Sequence, residues 1–310
     1  MSPPLVAVHG GAMGGLLLDG VRRALPDATV VGADTPEASA ADVLVTLADG
    51  GDAIARALTP GIRWVHVLGA GIDGFPLDVV GDRLVTCSRG AAAPAIAEFV
   101  LAAMLAFEKQ LPEVWITGPP DAGHVPALGG LEGRTLGIVG LGSIGTEVAR
   151  RALAFDMTVI GVRRSDRPAP LPGIALAPDL GALLEASDHV VVAAPATART
   201  ERLIGADALA RVRPGAHLVN VARGSLVDQD ALLAALDDGR LGRATLDVVD
   251  PEPLPAGHPL YTHERVRLTP HLSWSSPRTL RRTMALFVDN LDRYRAGQAL
   301  LGGVDLEEGY

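Results

Sequence analysis

The sequence has little cysteine, no long hydrophobic run and no recognisable export signal. Its one cysteine, Cys87, excludes an intrachain disulfide and is typical of a reducing compartment. The neighbouring sequence offers no base to activate a catalytic thiol, so we interpret Cys87 as a small buried residue. No apolar run reaches the roughly 18 residues that span a bilayer, and residues 1–11 lack the basic and apolar regions of a signal peptide. The sequence therefore predicts a cytoplasmic protein that does not bind membranes.

Acidic residues outnumber basic residues in this chain. The chain has 27 Lys and Arg against 36 Asp and Glu, a formal net charge of −9. This balance argues against a nucleic-acid-binding or membrane-binding protein, although one local basic spot could hold a phosphate.

Of the eight histidines only His258 and His263 are close together, and their spacing matches no known ligand motif. We predict no metal site.

Short apolar runs, rich in Val, Leu and Ile, alternate with longer segments of helical spacing. The runs lack polar alternation, which indicates strands covered on both faces, as in parallel sheets. They lie at residues 5–8, 42–47, 63–68, 135–140, 157–162, 189–195, 216–221 and 244–249. Regular alternation of strand and helix predicts a doubly wound α/β fold, and 310 residues suffice for two such domains.

A break in composition divides the chain. The longest helical pattern, 94–115, is followed by the Gly- and Pro-rich segment 117–130, after which a new strand begins. The last helical pattern, 276–297, comes after the final strand signal and could return to the first domain. We therefore predict a first domain of residues 1–97 plus 277–310 and a second domain of residues 98–276.

A glycine-rich loop, GLGSIG at 140–145, lies between a predicted strand and a predicted helix. In this context Gly140 permits the turn, Gly142 lets a pyrophosphate approach the backbone, and Gly145 lets the helix pack closely on the strand. The helix N-terminus offers free N–H groups to the anion. The loop therefore predicts a dinucleotide site in preference to an ordinary strand-to-helix turn.

The residues after the next strand bear on which dinucleotide binds. About 20 residues beyond such a loop an acidic residue usually holds the ribose of NAD, but this chain has Arg163, Arg164 and Ser165. A carboxylate repels a 2′-phosphate, whereas guanidinium groups form charge-assisted bonds with it. The pattern predicts a preference for NADP(H), with NAD(H) possible. The alternative is two surface arginines at a strand end.

Three further segments place reactive groups where strands end, the edge at which open α/β sheets bind ligands. They are NVARGSLVD at 220–228, LDVVDPEPLP at 246–255 and LTPHLSWSS at 268–276. They contain Arg223, Glu252 and His271. Taken singly, each of these residues could be structural or simply solvated.

The ordered set of motifs resembles the D-isomer-specific 2-hydroxyacid dehydrogenases, of the glyoxylate/hydroxypyruvate reductase type. The resemblance covers nearly the whole chain. Besides the three segments above, it rests on GAGID at 69–73, AEFVLAAML at 97–105, LEGRTLGIVGLGSIG at 131–145 and APATARTERLIG at 194–205. It implies a Rossmann-type dinucleotide domain inserted into a flavodoxin-like substrate domain, and a homodimer.

The resemblance also implies a reaction, the reduction of a small 2-keto acid to the D-2-hydroxy acid by hydride transfer. His271 is then the acid/base and Glu252 orients it. Arg223 anchors the substrate carboxylate and polarises the carbonyl, which agrees with the chemistry of these side chains. Backbone N–H groups of Ala70 and Gly71 would complete the carboxylate site. The expected partner is this small 2-keto or 2-hydroxy acid.

Further residues are expected along the cofactor and the substrate. The resemblance places Asp247 near the nicotinamide carboxamide. Along the cofactor it places Ser143, Ile144, Pro195, Thr200, Val221 and Ala222. Trp274, three residues after His271, could line the substrate pocket or be a buried Trp that fills the domain interface. Leu68 and Phe75 are further candidates for setting side-chain preference.

Two alternatives stay open at this point. One is a phosphoglycerate dehydrogenase of the short type. The other is a dinucleotide-sensing regulatory protein of the same fold, against which the intact set of Arg223, Glu252 and His271 argues.

Overall fold

The structure is a computed structural model, and it describes residues 5–48, 51–119, 126–165 and 167–306. The chain forms two compact units. Unit 1 is Met1–Ala92 with Ser276–Tyr310, and unit 2 is Ala93–Ser275. Unit 2 begins at the first residue of helix α4 (Ala93–Glu108), which packs on α5 (Ser143–Leu153) of the same unit. The predicted boundary at 97/98 would have divided this helix.

Unit 1 is built on a five-stranded parallel sheet in the order β2-β1-β3-β4-β5. This is the flavodoxin-like order of strands. The strands are β1 Leu5–Val8, β2 Thr29–Gly32, β3 Val43–Thr46, β4 Trp64–Val67 and β5 Leu84–Cys87. The helices of this unit are α1 Gly14–Ala24, α2 Asp52–Ala57, α3 Leu77–Val80 and α9 Pro277–Arg295.

The final helix completes the core of unit 1. Phe287 and Leu291 of α9 are buried, and the Phe287 ring lies 5.7 Å from that of Trp64 on strand β4. Both rings are fully buried. The core of unit 1 therefore joins residues from the first and the last parts of the chain.

Unit 2 is built on a seven-stranded parallel sheet in the order β12-β11-β10-β9-β6-β7-β8. Its strands are β6 Thr135–Val139, β7 Thr158–Val162, β8 Ile174–Leu176, β9 His189–Val192, β10 Ala216–Asn220, β11 Leu241–Leu246 and β12 Val266–Leu268. Besides α4 and α5, its helices are α6 Leu180–Ala186, α7 Ala206–Leu209 and α8 Gln229–Asp237. The strand order reverses at β6, which pairs with β7 on one side and β9 on the other. Ligands of doubly wound sheets bind at the carboxyl end of such a switch point.

The predicted fold class, two doubly wound parallel-sheet domains with one inserted into the other, is confirmed. The predicted helix 94–115 was too long, because α4 ends at Glu108, shortly before Pro112, which cannot donate to a helical hydrogen bond. Within the described ranges, no helix is long and apolar enough to cross a membrane.

Candidate active site

The glycine-rich loop lies at the switch point, between β6 and α5. Gly140 has φ +102°, and a Cβ there would lie 2.7 Å from the backbone of Ala194. A Cβ on Gly145 would lie 2.2 Å from the carbonyl oxygen of Gly140. Both positions therefore require glycine. A Cβ on Gly142, in contrast, would meet no heavy atom of the described chain within 4 Å, so this glycine borders open space.

The start of α5 is suited to an anion. The helix begins at Ser143, and its N-cap residue, Gly142, has no side chain with which to satisfy the first helical N–H groups. Those donors, together with the helix dipole, favour a negatively charged group in the space beside Gly142. Ser143 is exposed and Ile144 is half-buried on this first turn. The loop and the helix start fit the pyrophosphate of a dinucleotide.

Arg163 lies beside this loop. The N–H of Gly140 donates to the carbonyl of Val162 at 3.0 Å, so the end of β7 contacts the start of the loop. The half-buried Arg163 donates from Nη1 to the carbonyl of Pro168 at 3.0 Å. Its Nε is buried and has no hydrogen-bond partner among the described residues. Such a donor is costly to leave unpaired, and an anionic oxygen would satisfy it. Arg164 and Ser165 are exposed.

His271 and Glu252 form a direct pair. Nδ1 of His271 lies 2.8 Å from Oε1 of Glu252, and the two side chains are 38% and 41% exposed. Because a carboxylate only accepts hydrogen bonds, Nδ1 carries the hydrogen, which leaves Nε2 for proton exchange with a ligand. The two residues lie on loops that follow the neighbouring strands β11 and β12.

Asp247 holds the loop that carries His271. Its buried carboxylate accepts three hydrogen bonds from that loop: from the Thr269 hydroxyl at 2.7 Å, from Leu272 N–H at 2.9 Å and from Ser273 N–H at 3.0 Å. His271 itself has φ +50° and donates its N–H to the Asp247 carbonyl at 2.9 Å. Sequence reasoning assigned Asp247 to the cofactor and missed this role.

Arg223 lies on the loop after β10, and Asn220 fixes that loop. The buried Asn220 donates to the carbonyl of Arg223 at 2.8 Å and accepts from Ala222 N–H at 3.0 Å. A Cβ on Gly224 would lie 2.0 Å from the backbone of Val249. The loop of Arg223 therefore packs directly on the loop that leads to Glu252.

The other predicted cofactor residues line strand ends of the same sheet. Thr200 donates its hydroxyl to the carbonyl of Pro195 at 2.7 Å and accepts from Thr197 N–H at 2.8 Å. It thereby closes the loop after β9. Val221 and Ala222 are buried at the end of β10. These residues present mainly backbone at the carboxyl edge.

Trp274 is 49% exposed and donates from Nε1 to the carbonyl of His271 at 2.8 Å. Both expectations for Trp274, lining the substrate pocket or filling the domain interface, stay predictions. Leu68 and Phe75, by contrast, are 8% and 5% exposed and pack in the hydrophobic cores of unit 1.

Ala70 and Gly71 belong to unit 1, where they follow β4. Their loop is held from β5, because Ser88 N–H donates to the carbonyl of Gly69 at 2.9 Å and the Cys87 thiol lies 3.5 Å from the carbonyl of Ala70. Cys87 is fully buried, and burial raises the pKa of its thiol. The interpretation of Cys87 as a small buried residue is confirmed.

Together these features indicate the class of protein. A parallel sheet carries an anion-binding glycine loop at its switch point, and neighbouring strand ends carry a His–Glu pair and an arginine. This is the arrangement of a dinucleotide-binding unit, and a His–Glu pair is chemically able to exchange a proton with a ligand. No three His, Cys, Asp or Glu residues of the described ranges are grouped so as to hold a metal ion.

Comparison with known proteins agrees with that class. Residues 102–273 match the model of the D-isomer specific 2-hydroxyacid dehydrogenase NAD binding domain. The chain is 36% identical over 273 residues to a glyoxylate reductase of Korarchaeum cryptofilum, covering 83% of this chain and 80% of that protein. It is 34% identical over 257 residues to glyoxylate/hydroxypyruvate reductase B of Pectobacterium atrosepticum, covering 77% and 78%.

A solved structure is similar over the full length. A D-isomer specific 2-hydroxyacid dehydrogenase of Xanthobacter autotrophicus Py2, in complex with NADPH and MES, superposes with a TM-score of 0.84, at 30% identity and with 100% of both chains covered. The chain belongs to the D-isomer specific 2-hydroxyacid dehydrogenase family. The resemblance found in the sequence motifs is confirmed.

Proposed function

We propose that this protein reduces a small 2-keto acid, glyoxylate or hydroxypyruvate, to the D-2-hydroxy acid, with NADPH as the preferred reductant. The observation that carries the proposal is the 2.8 Å hydrogen bond between His271 and Glu252, on a unit whose glycine loop suits a dinucleotide. The bound nicotinamide supplies the hydride for the carbonyl carbon. The names and activities of the relatives support this substrate class.

His271 handles the proton. With Nδ1–H donated to Glu252, Nε2 can deliver a proton to the substrate oxygen as the carbonyl is reduced, and can take it back in the reverse direction. Glu252 keeps the ring in one tautomer and one orientation. The loop contacts of Asp247 hold the backbone of His271 in the left-handed conformation that this orientation uses.

Arg223 binds the substrate and stabilises developing charge. A guanidinium can bind the carboxylate of a 2-keto acid and polarise its keto oxygen, on which negative charge grows during reduction. Asn220 holds the backbone from which Arg223 extends. Backbone N–H groups of Ala70 and Gly71 are the further predicted carboxylate donors.

Arg163 and Arg164, with Ser165, would hold the 2′-phosphate of NADP(H). The support is electrostatic: the buried Nε of Arg163 lacks a partner in the described chain, and Arg163 stands about where a carboxylate would accept from the 2′-hydroxyl of NAD. The first turn of α5 and Gly142 would hold the pyrophosphate. NAD(H) remains a usable but weaker cofactor on this proposal.

The activity is tested by initial rates with NADPH and glyoxylate, hydroxypyruvate or 3-phosphohydroxypyruvate. We expect turnover of the first two, and a loss of about a hundredfold or more in kcat for His271→Ala, the scale of a lost general acid. His258→Gln, in a turn of the same unit, is the control. Preferred turnover of the phosphorylated acid would instead indicate a phosphoglycerate dehydrogenase, and tight NADPH binding with no turnover of any keto acid would indicate a sensor.

Cofactor preference is tested on the double variant Arg163→Asp/Arg164→Ala. We expect wild-type kcat/KM to favour NADPH over NADH and the ratio to fall by at least tenfold in the variant, because the new carboxylate repels the 2′-phosphate. Arg150→Ala, at an exposed position of α5, is the control for the loss of a surface arginine. A ratio that does not change on mutation would mean that the arginines are only surface charges.

A further inference from the structure

Gln229 is fixed at the start of α8, close to the loop of Glu252. The preceding residue, Asp228, caps the helix by accepting from Ala231 N–H at 3.0 Å. Its own N–H donates to the carbonyl of Ile204 at 3.1 Å. The backbone from which the Gln229 side chain extends is thus held by two contacts, so that the side chain starts from a defined position.

The Gln229 amide pairs with both backbone groups of one residue. Its Oε1 accepts from Asp250 N–H at 3.2 Å, and its Nε2 donates to the Asp250 carbonyl. A primary amide offers one acceptor and two donors, so it can match the N–H and C=O of residue 250 together. Alanine or leucine offers neither.

The segment that Gln229 contacts has few donors of its own. Glu252 stands between Pro251 and Pro253, which have no amide N–H to donate. The Asp250 and Glu252 side chains are exposed, so core packing does not fix them. On the other side, a Cβ on Gly224 would lie 2.5 Å from Asp250 N, so the backbone of residue 250 lies directly against the loop of Arg223.

We propose that Gln229 is a positioning residue for the reaction: by fixing the backbone of Asp250 it sets where Glu252 stands, and through Glu252 it orients His271. The inference rests on the proposed function. Gln229 is not placed on substrate or cofactor, and its effect is expected on the chemical step, because small displacements of a general acid cost rate more than binding.

The test compares Gln229→Leu, Gln229→Glu and wild type in the reduction of hydroxypyruvate with NADPH. Leucine keeps the approximate shape and loses both hydrogen bonds, so we expect kcat to fall about tenfold while the Kd of NADPH stays within twofold. Glutamate keeps the acceptor for Asp250 N–H and should lose less. Gln110→Leu is the matched control, because Gln110 also donates to a loop carbonyl, that of Ala127 at 3.2 Å, but far along the chain from Glu252.

A double-mutant cycle with Glu252→Gln separates positioning from general stability. If Gln229 acts through Glu252, Gln229→Leu adds little loss of kcat in the Glu252→Gln background. A full additional loss there, or wild-type kcat in both Gln229 variants, overturns the inference. If Gln229→Leu does not fold, Gln229→Glu is put through the same cycle.

Failure of the proposed function gives a different pattern. In that case either wild type reduces neither glyoxylate nor hydroxypyruvate, or His271→Ala and Glu252→Gln keep the wild-type rate. Either result also refutes the role of Gln229. If those two variants lose activity while the Gln229 variants keep it, only the role of Gln229 is refuted.

Discussion

At the scale of single residues, His66 is a buried histidine that takes no part in the proposed chemistry. The Thr86 hydroxyl accepts from Trp64 Nε1 at 2.8 Å and lies 2.7 Å from His66 Nδ1, to which it can donate. His66 Nε2 lies 3.2 Å from the Ser88 hydroxyl. Burial lowers the pKa of His66 to about 3. The ring is therefore neutral in the folded protein at any pH near neutrality.

This burial predicts a loss of stability in acid. An unfolded histidine gains a proton below a pKa of about 6.5, whereas the folded His66 does not until about pH 3. Folding is therefore opposed increasingly as pH falls through this window, by about 2 kcal/mol at pH 5. The free energy of unfolding is measured by urea titration at pH 7.5 and at pH 5. We expect it to fall less from pH 7.5 to pH 5 in His66→Gln than in wild type. Equal losses in both proteins would contradict the prediction.

A second buried histidine and an exposed acidic residue provide comparisons for His66→Gln. Burial also lowers the pKa of His217 in unit 2, so some acid sensitivity should remain in His66→Gln. An exposed ionisable residue, such as Asp207, offers a control position, because Asp207→Asn removes a charge without disturbing either buried ring.

How far the site could be predicted also depends on the kind of residue. His271, Glu252 and Arg223 stand in motifs whose chemistry is readable from residue type and order, and the first two form the pair that was expected. Asp247, Asn220 and Gln229 act by binding backbone of loops, in the case of Asp247 and Gln229 more than 20 residues away in sequence. A side chain that recognises a peptide group leaves no pattern in the sequence of its partner, so these roles required the structure.

At the scale of elements, α5 allows a test of the cofactor site that leaves the fold unchanged. Gly142 borders open space and has φ −85°, which any residue can adopt. Gly142→Ala should therefore fold normally, yet its methyl group would occupy the space expected for the pyrophosphate. We predict a rise of at least tenfold in the Kd of NADPH, measured by fluorescence titration, with an unchanged melting temperature.

A second glycine gives the control for this prediction. A Cβ on Gly15 in α1 also meets no heavy atom of the described chain within 4 Å, and alanine there favours the helix. Gly15→Ala should leave the Kd of NADPH unaltered. Unchanged binding in Gly142→Ala would mean that the pyrophosphate does not approach this glycine.

The strands that sequence patterns missed share one property. Every predicted run corresponds to an observed strand, but β2, β5, β8 and β12 were not predicted. These four are the edges of the two sheets. Edge strands are covered less completely, as the exposed positions in β2 and β8 illustrate, so they lack the continuous apolar run of a central strand. The apolar runs therefore predicted the inner strands of each sheet and missed the edge strands.

At the scale of the whole molecule, the order of the strands in each sheet did not follow from the residues alone. Apolar runs predict strands but do not state which strands are neighbours, and the Rossmann and flavodoxin-like orders were expected only through the resemblance to the family. Both orders are present. The homodimer that the resemblance implies stays a prediction.

The insertion of unit 2 into unit 1 has a consequence for synthesis of the chain. Unit 2 is one continuous stretch, Ala93–Ser275, whereas unit 1 needs residues from both sides of it. A growing chain thus has the whole of unit 2 available while Trp64 still lacks Phe287, its partner from α9. The strands of unit 1 are therefore synthesised first, but the core of this unit is complete only after Phe287 of α9 has been added.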